Sequence, residues 1–319
     1  IIVSLVGSEM CIRDSPNNFA GGSIKLYALL AENALKSELG DQLTMDATTS
    51  AFGLTEVVDE NMANAARVHA VENGEDLSEY TMIAFGGAAP LHAGRLCEKL
   101  GVNRLLVPPG AGVGSAIGFL RAPFSFEANR SVYMTLKSFD PKKIKNILSN
   151  LKIEATAFVR NCDIVSPILA EFKVYMRYSG QGWEIPITLN ENQAMNPNVT
   201  EFENRFIEDY TKLFGRPVEG MNIEITVWSV NATTPSENVS RVAEKINGET
   251  ALIHCERNLF DPALAKFVNA SVVLRDYMKS GSVTQGPSII TEDETTIIVP
   301  SSRNAIRQPD GCIDITRKI

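Results

Sequence analysis

The apolar positions of this chain change period several times, and each change marks an element. Residues 23–39 place Ile24, Leu26, Tyr27, Leu30, Ala34 and Leu35 at helical spacing, and Gly40 is the expected stop. From about Ala51 to Asn73, Leu54, Val57, Val58, Met62, Ala65 and Val68 fall on one helical face, and the helix ends at Gly74. Asn61 and His69 share that face and would need hydrogen-bond partners within it, while Glu56, Glu60 and Arg67 point away. A short apolar run, Met82 to Phe85, then meets Gly86-Gly87, and Pro90 introduces an amphipathic helix from Leu91 to Leu100. The unit repeats at once: strand Arg104–Val107, loop Pro108-Pro109-Gly110-Ala111-Gly112, helix Val113–Leu120.

After Arg121 the pattern changes. Phe124 to Leu136 reads as extended chain, and Asp140-Pro141 opens a helix from about Lys142 to Arg160 with Ile144, Ile147, Leu148 and Leu151 on one face. Ala170–Tyr178 and Trp183–Leu189 alternate around Ser179-Gly180-Gln181-Gly182, which predicts a β-hairpin. Residues 199–214 carry Phe202, Phe206, Tyr210 and Phe214 at helical spacing, and Met221–Val230 alternates again. Asn231–Ile246 is polar and reads as a connector; from about 251 the chain reads as short strands, including Ser288–Thr291 and Thr295–Val299. The βα units and the later α+β pattern divide near residue 127.

The two glycine-rich crests are the place to look for chemistry. Glycine lets backbone approach a ligand closely, and a helix N-terminus offers N–H groups and a partial positive charge. Gly86, Gly87, Ala88, Gly110 and Gly112 are therefore candidate backbone contacts for a nucleotide. The same spacing also suits two tight βα turns with no ligand. His92 sits in the first turn behind Gly86-Gly87, where the helix dipole favours a neutral imidazole. Such a ring can donate to a phosphate or polarise a carbonyl; it can equally cap or pack the helix. Only three histidines occur, none at H-x-x-x-H spacing, so no metal site is expected wholly within the chain. His254 and Cys255 are strand neighbours and face opposite sides. Asp293 and Glu294 read as a solvated turn.

Composition narrows the classes. Hydrophobic residues make up 44% and charged residues 21%, as in a folded globular protein. A net charge of −8 argues against nucleic acid or an anionic membrane as partner. No apolar run approaches the ~18–20 residues of a membrane span. The five cysteines are scattered, with no C-x-x-C pair, which suits a cytoplasmic protein.

The runs AFGGAAPLHA (84–93) and LGVNRLLVPPGAGVGSAIG (100–118) resemble the hydantoinase A and 5-oxoprolinase family, which includes ATP-dependent acetone and acetophenone carboxylase subunits. NNFAGG (17–22), the helix, turn and strand of 61–87, RYSGQGWEI (177–185) and QGPSIITEDETTIIVP (285–300) resemble further family signatures in the same order. Ala89 stands where members usually carry glycine. The resemblance implies an α/β fold: the second lobe of an actin-like ATPase (16–127), followed by a strand-rich α+β C-terminal domain (128–319). Residues 1–15, IIVSLVGSEMCIRDS, resemble sequencing-adapter read-through rather than a signal peptide.

The acidic D-x-G-G-T phosphate loops of such ATPases are not found, which makes the chain read as the C-terminal half of a longer subunit. The resemblance further implies ATP and Mg²⁺ as cofactors, the metal ligands lying in the missing half. It implies a hydantoinase B-type partner, an oligomeric assembly and phosphorylation of a cyclic amide or imide oxygen before ring opening. The alternatives are a ketone carboxylase subunit and a non-catalytic interaction fragment.

Overall fold

The computed structural model describes residues 25–236 and 248–318, in two compact units: 25–120 with 248–318, and 121–236. Residues 1–24, including the leader and NNFAGG, and most of the polar connector lie outside the described residues.

In the first unit, helix α1 (Ala28–Leu35) runs on through a π turn (Lys36–Gly40) and a short helical turn (Asp41–Leu43). Gly40 is thus not the stop. The Met45 N–H returns to the Gly40 carbonyl at 2.9 Å, and a Cβ on residue 40 would lie 2.7 Å from the Met45 oxygen. The chain actually turns at Thr44, with φ 57°. Helix α2 (Ala47–Glu72) begins at Asp46, whose carboxylate accepts from the Thr49 N–H at 2.6 Å. Its buried residues are Ser50, Thr55, Asp59, Ala63 and Ala70. The apolar stripe expected to be buried faces outward instead, with Val57 and Val68 59% and 57% exposed, and Asn61 and His69 are exposed beside it. Small side chains allow close helix approach, so the small-residue face takes the contact.

The parallel pair follows: β1 (Thr81–Ile83), α3 (Ala89–Leu100), β2 (Arg104–Val107) and α4 (Gly114–Arg121), with Met82 opposite Leu105. Helices α2 and α3 are cross-linked by charge. Glu56 accepts from Arg95 Nε and Nη2 at 2.9 and 3.0 Å, and Lys99 bridges Glu56 and Glu60 at 2.9 Å each.

The second unit is an antiparallel sheet. Strand β3 (Ser125–Thr135) leads to α5 (Pro141–Cys162), β4 (Leu169–Tyr178), β5 (Ile185–Leu189), α6 (Glu191–Met195), α7 (Val199–Phe214) and β6 (Ile223–Thr233), in the sheet order β3-β6-β4-β5. Asp140 caps α5 with Pro141 in its first turn, and β4–β5 is the expected hairpin. Ile144, Leu148 and Leu151 of α5 and Phe202 and Phe206 of α7 pack on Phe172, Ile187 and Trp228 of the sheet. Burying each such side chain is worth roughly 1.5–3 kcal/mol. The Trp228 indole N–H donates to the Val132 carbonyl at 2.9 Å.

The tail returns to the first unit. It forms β7 (Cys255–Asp261), β8 (Lys266–Leu274), β9 (Val283–Gln285), β10 (Ser288–Thr291), β11 (Thr296–Val299), β12 (Arg303–Arg307) and β13 (Ile313–Arg317). One sheet has the order β1-β2-β13-β12-β9, the other β11-β10-β8-β7. In the packing the tail joins the first unit: β13 zips antiparallel onto β2, Ile315 opposite Leu105. Arg275, 4% exposed, fastens the join by donating to the carbonyls of Val107 and Gly311 at 3.0 Å each and to both Glu292 oxygens at 2.9 and 3.0 Å.

Candidate functional site

The two crests meet at the C-terminal ends of β1 and β2. The Ala84 N–H continues the ladder to the Leu106 carbonyl, and the Gly86 N–H donates to the Ala111 carbonyl, both at 2.9 Å. The loop after β10 closes on them: the Thr295 hydroxyl donates to the Gly87 carbonyl at 2.6 Å. Thus AFGG, PPGAG and TEDET, far apart in sequence, form one surface.

The glycines here do different jobs. Gly86 has φ +123°, a conformation that side chains disfavour. Gly87 lies outside that region, and a Cβ there would meet only the Glu294 oxygen at 3.7 Å and the Gly112 oxygen at 4.0 Å. Its smallness is not demanded by the fold. Gly112 is different, since its Cβ would fall 2.5 Å from the Glu294 carbonyl oxygen. Gly110, with φ +66°, would press Ile117 Cδ1 at 2.5 Å, and Gly114 makes room for the Phe85 ring. Packing within the chain accounts for Gly110 and Gly112, so their expected role as ligand contacts has a competing structural cause. Asp293 and Glu294 form an exposed turn, yet the Glu294 backbone braces the crest.

Helix α3 starts at Ala88 with no side-chain cap and with Pro90 in its first turn. His92 follows, and its Nδ1 lies 2.7 Å from Asp59 Oδ1 on α2. The carboxylate is fully buried and the His92 side chain 13% exposed. An ionised Asp59 only accepts, so it holds a hydrogen on Nδ1 and fixes the tautomer. Asp59 Oδ2 has no partner. His92 is thus tied through Nδ1 to a buried carboxylate on the neighbouring helix α2. Asp59 escaped sequence reasoning because the wheel of α2 was oriented by its large apolar residues. The signal lay in Thr55, Asp59 and Ala63, spaced four apart on the small-residue face.

Among the described residues no group of three or more His, Cys, Asp or Glu side chains gathers to hold a metal, and no helix is long and apolar enough to cross a membrane.

Comparison with known proteins places this architecture. Residues 13–128 match the hydantoinase/oxoprolinase model and residues 137–308 its C-terminal domain model. An uncharacterized protein of Methanocaldococcus jannaschii is 27% identical over 93% of this chain and 42% of its own length. The caprolactamase α subunit of Pseudomonas jessenii is 24% identical over 93% of this chain and 43% of that subunit. The nucleotide-free structure of acetone carboxylase, from work on ATP-dependent acetone carboxylation, superposes with a TM-score of 0.83 at 20% identity, covering 98% of this chain and 46% of that one. The chain thus spans less than half the length of the relatives it matches. With both family models aligned in order over most of its residues, and the fold matching in turn, the chain belongs to the hydantoinase/oxoprolinase family.

Proposed function

We propose that this chain is part of the ATP-dependent subunit of an amidohydrolase that activates a cyclic amide or imide, acting in the cytoplasm with a hydantoinase B-type partner. The observation that carries the reading is the crest: two βα turns tied by the Gly86–Ala111 hydrogen bond, above an uncapped helix start. Its residues fit one side of a nucleotide. Gly86 takes a backbone shape reserved for glycine, and Gly87 is small without any packing need. The backbone of Gly86, Gly87 and Ala88 would hold adenosine or the α-phosphate; Gly110 and Gly112 shape the crest from behind. For Mg²⁺ the described residues offer no ligand cluster.

Amide hydrolysis is slow because resonance protects the carbonyl, and ATP supplies the phosphoryl group that turns the amide oxygen into a leaving group. Phosphoryl transfer relies mostly on positioning and charge. Within this chain, Thr295 pins the Gly87 carbonyl so that the crest keeps its shape. Asp59 orients His92 by accepting from its Nδ1–H, which makes Nε2 the acceptor nitrogen of the ring and suits it to take a proton rather than to donate one. A ketone carboxylase subunit is the second reading, supported by the fold likeness to acetone carboxylase. The test is phosphate release by a protein extended to the relatives' length and supplied with its partner. Hydantoin, 5-oxoproline, caprolactam and acetone with bicarbonate are offered in turn. Release stimulated by a cyclic amide supports the first reading; release stimulated by the ketone alone replaces it with the second.

A further inference from the structure

At the other end of α3 lies a basic cavity that the crest does not use. Its volume is about 300 Å³, and its wall includes Cys97, Glu98, Ser302, Arg303, Arg95 and Arg317. Arg303, at the start of β12, is 3% exposed. Its Nη1 and Nη2 donate to the carbonyls of Asn103 and Val102 at 3.1 and 2.6 Å, and its Nε has no partner. Among the described residues no carboxylate forms an ion pair with it. A guanidinium carries five N–H donors and a permanent charge, and burying it without a counter-charge is strongly unfavourable.

The neighbours do not supply that charge. Glu98 is taken up by Arg95 Nη1 at 3.1 Å and the Ser302 hydroxyl at 2.5 Å, and Arg95 is further committed to Glu56. Burial pushes the Cys97 thiol up to about 11, with Arg303 pulling the other way, so it is not a thiolate at neutral pH. Arg317 is exposed, with no ion pair among the described residues. Nearby, the Lys318 ammonium donates to the carbonyls of Gly286 and Ser301, at 2.7 Å each, and among the described residues it forms no ion pair. An excess of positive charge thus surrounds a ligand-sized space in a chain of net charge −8.

We propose that this cavity binds a small oxyanion, the phosphate or carboxylate group of a small molecule, through Arg303 and Arg317. Along α3 its wall begins at Arg95, about 9 Å past the helix start, and reaches Gly101 at about 18 Å, so it is a second site rather than part of the first.

The experiment is calorimetric titration of the whole chain with inorganic phosphate and, separately, with succinate, at constant ionic strength in chloride buffer. A saturable heat with either anion is expected. Phosphate alone identifies a phosphoryl ligand, succinate alone a carboxylate. Arg303→Met should weaken binding by about tenfold or more, since its charge and its unpartnered Nε–H are lost. Should that variant fail to fold, Arg317→Glu decides: it should abolish binding. No saturable heat with either anion, or unchanged affinity in the folded variants, overturns the proposal.

Discussion

His92→Ala is the perturbation that reads the Asp59–His92 pair most clearly. Asp59 is fully buried, one of its oxygens is already without a partner, and His92 meets the other at 2.7 Å. Removing the ring leaves a buried carboxylate with no partner, a change that typically costs about 3–5 kcal/mol. A helix cap would cost about 0.5–2 kcal/mol. For a folded unit of this size, about 2–4 °C is lost per kcal/mol, so the melting temperature should fall by roughly 6–20 °C. Asp59→Leu removes the charge while keeping the branched shape. The double variant, Asp59→Leu with His92→Ala, should therefore be more stable than His92→Ala alone by about 1–3 kcal/mol. The assay is calorimetric melting, because both tryptophans, Trp183 and Trp228, lie in the second unit and their fluorescence reports that unit only. A double variant no more stable than His92→Ala, or a loss below about 1 kcal/mol in that single variant, would refute the claim that His92 satisfies the buried carboxylate.

Other outcomes follow from the same geometry. Gly112→Ala should destabilise the chain by about 1–3 kcal/mol, because its Cβ would sit 2.5 Å from the Glu294 oxygen, whereas Gly87→Ala should melt near the parent; thermal melts of the two decide. In the extended protein, Gly87→Val should weaken ATP binding in calorimetric titration with little change in stability. Hydrogen bonds from Arg67, then Lys99, hold Glu60 down at about 2 against an ordinary 4.5. Its contribution should thus be complete above pH 4.5 and vanish as the pH falls towards 2, and a carboxyl NMR titration checks this, with Arg67→Ala expected to move the midpoint upward. Val57→Ser with Val68→Ser on the exposed stripe of α2 should change the stability of this chain by no more than about 0.5 kcal/mol in a urea melt.

Local elements were legible where local chemistry decides them. Strand β2 has its expected ends, and α7 spans its expected residues because Asn198 caps it and Gly215, at φ +82°, ends it. Side-chain size misled the reading of α2: the wheel follows Val57, Met62 and Val68, yet the helix packs through Thr55, Asp59 and Ala63. Partners distant in sequence left no trace in any local period. Nothing near residue 105 announces that Ile315 will pair with it, nor that Glu294 will press on Gly112. The glycine crests were visible as motifs, but only the packing separates Gly86 and Gly87 from Gly110 and Gly112. Arg303 drew no notice because its meaning lies in what does not surround it.

The central claim is that the intact enzyme uses ATP to turn an amide oxygen into a leaving group. Its most direct test is oxygen tracing: a cyclic amide substrate carrying ¹⁸O in its ring carbonyl is turned over with ATP and Mg²⁺ by the extended protein and its partner, and the released phosphate is analysed by mass spectrometry. The account predicts that the label appears in inorganic phosphate. Turnover that leaves the phosphate unlabelled and the ¹⁸O in the ring-opened product would contradict it.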